Sequence, residues 1–189
     1  MFNIQKTTHI AAYLLWKRGG KMFYLKLMKL MYLAEKASLL NYGERLTGDT
    51  PVCMPQGPVL SSTYDLIRRG NEYWNHWIGN CGNYEREFKQ SLHTVNPSDP
   101  LDTFDELSPS DILLLDEVFN SFGHKNRWDL VNYTHSSACP EWHDPHGSSL
   151  PISIREMLLA NGKTDREANL ILENLAEVDD LQKVTASLT

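Results

Sequence analysis

The sequence has 189 residues, of which 41% are hydrophobic and 22% are charged, and its formal net charge is −6. These proportions exclude a fully disordered chain, and the length suits one hydrophobic core, so we expect a single globular domain. No apolar run reaches the roughly 18 residues of a membrane span, and no cleavage site follows the apolar part of the N-terminus. The sequence therefore predicts a cytoplasmic protein without a membrane segment.

The positive charge is concentrated near the N-terminus. No acidic residue precedes Glu35, whereas six basic residues do: Lys6, Lys17, Arg18, Lys21, Lys26 and Lys29. This pattern predicts a basic face on the N-terminal helices of an otherwise acidic protein, suited to docking an acidic surface. Phosphate contact is the alternative, but the negative net charge and the lack of a separate helix-turn-helix argue against nucleic acid as a partner.

Three cysteines, Cys53, Cys81 and Cys139, are widely spaced and form no CxxC pair. An odd number at such spacing favours reduced thiols over a disulfide framework, in agreement with a cytoplasmic address.

Two helices are predicted in the N-terminal part. The first begins at a cap on Thr7 or Thr8 and stops at the glycine pair 19–20. The second covers Tyr24 to Leu40 and is apolar around most of its circumference. Such a helix belongs at the centre of a bundle.

The segment MPQGPV, residues 54–59, predicts a stiff loop. Pro55 and Pro58 stand three positions apart with Gly57 between them, after a short extended stretch around residues 52–54. We expect Pro58 in the first turn of a helix that runs from Val59 to Arg69, where its missing N–H costs nothing. A loop fixed in this way suits a binding surface, because its ordering entropy is lost before a partner arrives.

Residues 70–83 combine glycines with large aromatic rings, and this composition predicts a loop followed by a strand within residues 85–95. Trp74, Trp77 and Trp142 lie in predicted loops, so we interpret them as possible anchors of a protein interface, with core packing as the alternative. For Trp16 and Trp128, which lie in predicted helices, core packing is the stronger expectation.

The C-terminal part is predicted to be helical. A helix is predicted to begin at residues 108–111 and to end at Gly123. Short helices are predicted at residues 128–134 and 152–160, with a loop at residues 136–151 between them. Thr164 and Glu167 form a capping box for the last helix. The fold class is thus mainly α: a compact single-domain bundle of six or seven helices with a short β element of two or three strands.

The densest group of ligand-type residues is His135, Cys139, His143 and His146. It offers nitrogen and sulfur ligands for zinc, or a Cys–His pair for a metal- or thiol-dependent hydrolase, although the spacing matches no standard zinc site and prolines interrupt it. Phosphate-binding loops, nucleophile elbows and HExxH motifs are absent from the sequence. We therefore expect no cofactor and no enzymatic activity, and keep the hydrolase as the alternative.

An ordered series of short motifs suggests a family. They are KLMKLMYLA at residues 26–34, a Tyr-Gly pair at 42–43, GPV at 57–59 with a tyrosine at 64, and L-x-x-x-T-H at 130–135 with a tryptophan at 142. Across about residues 7 to 160 the sequence resembles the Panacea domain, the SocA-like antitoxin family found in phage-associated and toxin–antitoxin loci. The run Cys139-Pro140-Glu141 departs from the family pattern.

The resemblance implies a helical domain that neutralises a cognate toxin, encoded beside it, by direct binding, in some members as an adaptor that delivers the toxin to a protease. The antitoxin domain would comprise residues 1–160, and residues 161–189 a C-terminal helix packed on it with a frayed end. We expect Thr134 and His135 to link the 54–64 region to the later helices by hydrogen bonds. The residues predicted at the toxin interface are Lys26, Lys29, Met54, Gln56, Gly57, Pro58, Tyr64, Trp74, Trp77, Thr134, His135 and Trp142.

Overall fold

The computed structural model describes residues 1–82 and 84–187, which form eight α-helices and two small antiparallel sheets. The helices are α1 (Ile4–Lys17), α2 (Tyr24–Tyr42), α3 (Ser61–Arg69), α4 (Glu72–Trp77), α5 (Pro109–Phe122), α6 (Arg127–Thr134), α7 (Ile154–Ala160) and α8 (Asp165–Ser187). The strands are β1 (Lys21–Phe23), β2 (Pro51–Cys53), β3 (Val59–Leu60), β4 (Ile78–Asn80), β5 (Glu85–Phe88) and β6 (Leu150–Pro151). The prediction of a compact, mainly α fold is confirmed.

Helix α2 lies at the centre, as its apolar pattern predicts. Residues 25–36 are all buried, and the helix packs against α1, α3, α5, α6 and α7. Gly43 ends it in the left-handed region at φ 69°, where a glycine carries no Cβ penalty. The polar side chains among residues 25–36 therefore need partners inside the protein.

Helix α1 begins earlier than predicted, and the expected cap on Thr7 or Thr8 is wrong. Asn3 is the cap, and its side chain accepts a hydrogen bond from the Lys6 N–H at 2.9 Å. The two threonine hydroxyls instead donate to backbone carbonyls four residues back, at Asn3 and Ile4. An asparagine one turn upstream thus outcompetes them for the helix start.

Two buried carboxylates hold the segment between α2 and α3. Glu35 accepts hydrogen bonds from the Thr47 N–H and hydroxyl, and burial raises the pKa of Glu35 despite these bonds. Asp49 accepts from the backbone of Ser62 and Thr63 and so caps α3. Glu35 thus holds Thr47 from 12 residues away along the chain, and Asp49 holds the start of α3 from 13 and 14 residues away.

The expected helix start at Pro58 is wrong. Val59 and Leu60 form β3, which pairs with Val52 and Pro51 of β2 in the sheet of order β3-β2-β6. Helix α3 begins only at residue 61, because the backbone at 59–60 is engaged in this ladder. Residues 150–151, predicted as loop, form the third strand of the same sheet.

The tryptophan-rich segment is helical at residues 72–77, against the loop prediction. The side chain of Asn71 accepts a hydrogen bond from the Trp74 N–H at 2.7 Å and so caps α4. The expected strand follows as β5, limited to residues 85–88, between β1 and β4. The cap and the burial of Trp74 outweigh the low helix propensity of the aromatic residues.

The C-terminal helices begin at the predicted signals. Ser108 and Asp111 form a capping box on α5, and Thr164 and Glu167 exchange the same bonds ahead of α8. Helix α8 packs along α7 and reaches residue 187. The predicted fraying of the last residues falls partly on 188–189, outside the described residues.

All three cysteines are free, as their spacing predicts. None of the described helices combines the length and apolarity that crossing a bilayer requires.

Candidate protein-binding site

The loop of residues 54–58, called here the 54–58 loop, is a tight turn built around Gly57. The Gly57 N–H donates to the Met54 carbonyl at 2.8 Å, and Gly57 has a φ of 91°. A Cβ at this position would lie 2.6 Å from the Thr134 hydroxyl oxygen and 2.7 Å from the Lys29 Nζ. Glycine is therefore required twice, once for the backbone conformation and once for the close approach of its neighbours.

Two side chains from the end of α6 and the segment after it hold carbonyls of the loop. The Trp142 indole N–H donates to the Met54 carbonyl at 3.1 Å, and the His135 Nε2 lies 3.2 Å from the Pro55 carbonyl. The other nitrogen of His135 lies 2.7 Å from the Val131 carbonyl. Both carbonyls only accept, so the ring bonds both at once when both nitrogens carry a proton. The expected hydrogen-bonded link through His135 is confirmed.

Thr134 supports the same loop by packing. Its hydroxyl donates within α6, to the carbonyls of Leu130 and Val131, so the predicted hydrogen bond to the loop is absent from the described contacts. The side chain is fully buried and closes the space over Gly57.

Lys29, on the central helix α2, contacts the 54–58 loop from the protein interior. Its side chain is fully buried, and the ammonium donates to the Pro58 carbonyl at 2.9 Å. Burial lowers the pKa of Lys29 to about 7, because the charged form has lost its water. The loop is thus held by backbone carbonyl contacts from two sides.

A buried polar network continues along α2 below these contacts. Glu141 is fully buried and accepts hydrogen bonds from the Tyr32 hydroxyl, from Lys36 at 2.9 and 3.0 Å, and from Asn161 at 2.9 Å. Lys36 also donates to the Ala138 carbonyl at 2.8 Å. Burial alone would raise the pKa of Glu141, but the hydrogen bonds from its three partners outweigh burial and lower it. The network ties the segment that carries His135 and Trp142 to the central helix.

Sequence reasoning missed this network, although part of its signal was present. Lys29, Tyr32 and Lys36 are spaced by three and four residues and so share one face of α2. A polar stripe on an otherwise apolar central helix indicates buried partners. Nothing in the spacing identifies the partner Glu141, which lies more than 100 residues away.

A depression of about 250 Å³ lies between the 54–58 loop, α2 and α3, and we call it the loop groove. Four of the predicted interface residues line it: Met54, Gln56, Gly57 and Tyr64. The other residues that line it are Tyr24, Leu25, Met28, Pro55 and Val59. Gln56 is exposed and Tyr64 is half-buried. These side chains give a mainly apolar surface with a polar edge, the composition expected of a protein interface.

The predicted basic face is wrong for two of its members. Lys26 and Lys29 are both buried, and their ammonium groups donate to backbone carbonyls, that of Lys26 to Gly123 at 2.6 Å. Each lysine lies on the central helix, where a charge is stable only with a partner in the protein. Neither ammonium is available on the surface.

Among the tryptophans, Trp74 and Trp77 follow the core-packing alternative, and the core expectation is wrong for Trp128. Trp74 is 2% exposed and lies in the hydrophobic core, and the partly buried Trp77 packs against that core, with its ring edge-on to the buried His9 ring at 4.5 Å. Trp128, expected in the core, is 52% exposed. The loop or helix assignment of a tryptophan does not determine its burial, which depends on how the elements pack.

The structure gives no support to the alternative hydrolase. Burial raises the pKa of Cys139 to about 11, which disfavours a thiolate nucleophile. His143 pairs with Glu156 at 3.1 Å, and His146 is exposed, while His135 is committed to the 54–58 loop. Within residues 1–82 and 84–187, no group of three or more ligand-type side chains is arranged to hold a metal ion.

Comparison with known proteins assigns the chain to a family. The family model described as "Antitoxin SocA-like, Panacea domain" matches residues 27–143, which is more than half of the chain. The match includes most of α2, the 54–58 loop and the segment with His135, Glu141 and Trp142. No curated protein and no solved structure gives a match. The chain belongs to the SocA-like antitoxin family, the Panacea domain family.

Proposed function

We propose that this protein is the antitoxin of a toxin–antitoxin system, that it neutralises a cognate toxin by direct binding, and that it acts in the cytoplasm without catalysing a reaction. The observation that carries the proposal is the match to the antitoxin family across residues 27–143. The partner is the toxin encoded by the adjacent gene, in a locus of the phage-associated kind.

We place the toxin contact at the loop groove. Its support is the way the 54–58 loop is held: three of its carbonyls accept hydrogen bonds from Lys29, His135 and Trp142. A loop held in this way before binding loses little conformational entropy when a partner docks. Lys29, Thr134, His135 and Trp142 then act as the scaffold of the interface, whereas Gln56 and Tyr64 supply accessible contact surface.

Co-expression with the adjacent gene product tests the proposal. Wild-type protein should restore growth of cells that express the toxin and should co-purify with it. The double variant Gln56→Arg/Tyr64→Ala, which alters the loop groove, should weaken both effects, because it removes an aromatic contact and adds a bulky charge. A matched control is Gln5→Arg, which places the same charge at an exposed position on α1. Failure of the wild type to rescue growth or to co-purify would refute the proposed function.

Neutralisation can proceed by occlusion of the toxin or by its delivery to a protease, and toxin half-life separates the two. Under occlusion, the antitoxin leaves the half-life of the toxin unchanged or lengthens it. Under delivery, the half-life falls when the antitoxin is present, and the effect disappears in cells that lack the protease. A pulse-chase measurement with and without the antitoxin distinguishes the two outcomes.

A further inference from the structure

A second exposed surface adjoins the loop groove, and we call it the arginine–aromatic surface. Its defining residues are Phe23, Tyr24, Tyr84, Arg127 and Trp128. They surround a depression of about 210 Å³, which shares Tyr24, Leu25 and Gln56 with the loop groove. The two depressions therefore form one continuous stretch of surface.

Arginine side chains lie on aromatic rings at this surface. The guanidinium of Arg127 is 3.8 Å from the centre of the Phe23 ring and 5.4 Å from that of Trp128, and Arg86 lies 5.5 Å from the Tyr24 ring. Among the described residues, Arg127 forms no ion pair with a carboxylate. Stacking orders a guanidinium over the ring while its N–H groups at the edge can still bond a carboxylate in two-point fashion.

The surroundings of this surface carry a charge opposite to that of the whole chain. This depression and two neighbouring ones are lined by one acidic residue, Glu85, and by six basic ones: Arg18, Lys21, Lys26, Arg86, Lys125 and Arg127. Lys26 and Arg86 donate to backbone carbonyls and Lys21 pairs with Glu87 at 3.4 Å, whereas Arg18, Lys125 and Arg127 form no ion pair among the described residues. The protein as a whole has a net charge of −6. Burial lowers the pKa of Lys26 and the Arg18 charge lowers it further, in agreement with a local excess of positive charge. A basic region of this kind attracts an acidic partner.

Two large aromatic side chains project from the surface. Tyr84 is 74% exposed and has a φ of 63°, a left-handed conformation that is rare for a tyrosine. Trp128 is 52% exposed. Tyrosine, tryptophan and arginine are the residue types that contribute most to binding energy at protein interfaces. Their exposure beside the loop groove indicates a surface that a partner covers.

We propose that the arginine–aromatic surface binds an acidic segment of a protein partner, in which Asp or Glu carboxylates flank an apolar or aromatic side chain. The carboxylates pair with Arg127 and neighbouring bases, and the apolar side chain enters the depression between Tyr24 and Trp128. The inference rests on the proposed function in taking this partner to be the toxin. A nucleic acid is disfavoured, because the protein is acidic overall and Glu85 and Glu87 lie beside the bases.

A peptide titration followed by ¹⁵N NMR on the full chain tests the surface without the toxin. The probe is a synthetic peptide of glutamates around one tryptophan, and its control is the same peptide with lysines. We expect the glutamate peptide to shift the Trp128 indole signal and the amides of Tyr24 and Tyr84. Arg127→Glu should weaken binding about tenfold, whereas Arg166→Glu on the exposed face of α8 should leave it unchanged. Shifts confined to other regions, or equal binding of the lysine peptide, would overturn the inference.

Two further measurements identify the partner class. A single-stranded RNA oligonucleotide that binds the same residues more tightly than the glutamate peptide would also overturn the proposal. In the growth assay, Arg127→Glu should lose rescue while Arg166→Glu keeps it, and rescue by both would count against the surface. Should the wild type fail to rescue, the proposed function fails, and the peptide titration still decides whether the surface binds acidic segments.

Discussion

Two regions of this protein combine basic side chains with aromatic rings and use them differently. On the buried face of α2, Lys29 and Lys36 donate to carbonyls of the chain itself, and Lys36 also pairs with Glu141. On the arginine–aromatic surface, Arg127 lies on Phe23 and Trp128 and forms no ion pair with a carboxylate of the described residues. The contrast shows that position in the fold, and not residue type, decides whether a charge stabilises the structure or is left for a partner.

The strongest test of the contrast is the removal of the buried carboxylate. Glu141→Ala leaves Lys36 buried without its counter-ion and Tyr32 without its acceptor, so we expect the free energy of unfolding to fall by about 3 to 5 kcal/mol. Urea denaturation measures the loss. The control Glu117→Ala, at an exposed position of α5, should change stability by less than about 0.5 kcal/mol. Similar values for the two variants would mean that the buried network contributes little.

The next test concerns the close packing around the 54–58 loop. Gly57→Ala introduces a methyl group against Thr134 and Lys29 at a φ of 91°, and we expect it to lower the free energy of unfolding by about 2 to 4 kcal/mol. Gly147→Ala is the matched control, because Gly147 has a φ of 83° and nothing within 4 Å of the added carbon. That variant should lose only about 1 kcal/mol. Equal losses would show that backbone conformation alone explains the requirement for glycine.

A smaller effect is expected from the titration of Lys29. Burial lowers its pKa from 10.5 to about 7, so between these values the unfolded chain binds a proton that the folded protein does not. The contribution of Lys29 to stability therefore increases with pH through this window, by up to about 1.4 kcal/mol per pH unit. The measured quantity is the difference in the free energy of unfolding, wild type minus Lys29→Met. We expect this difference to rise from pH 7 to pH 9 and to be constant from pH 5 to pH 6. A difference that is constant from pH 5 to pH 9 would contradict a buried, titrating Lys29.

The smallest effect on stability belongs to the arginine–aromatic surface. Arg127→Glu removes stacking on Phe23 and Trp128 at a partly exposed position, so we expect the free energy of unfolding to change by less than about 1 kcal/mol. Thermal denaturation measures it against Arg166→Glu. A large loss of stability would assign Arg127 to the structural framework and remove the distinction between the two regions.

The sequence predicted local features of this fold, such as helix caps, better than it predicted the burial of individual side chains. The capping boxes at Ser108 and Thr164 follow from spacing within one turn of helix. The central position of α2 follows from the apolar residues around most of its circumference. The start of α3 was mispredicted, because β3 forms only when its strand partner β2 is in place. Trp74 is buried and Trp128 is exposed for the same reason, because the burial of a side chain depends on how the elements pack.

By itself, the sequence determined the helical class, the turn at residues 54–57 and the family, because prolines, glycines, caps and an ordered motif series act over a few residues. The tertiary structure decided which charges are internal supports and which face solvent. Lys29 reaches the Pro58 carbonyl across 29 residues of chain, and Lys36 reaches Glu141 across 105. Arg127, at the start of α6, reaches Phe23 in β1. The physical reason is that the free energy of a charged side chain depends on its solvation and its neighbours, which exist only once distant segments have packed.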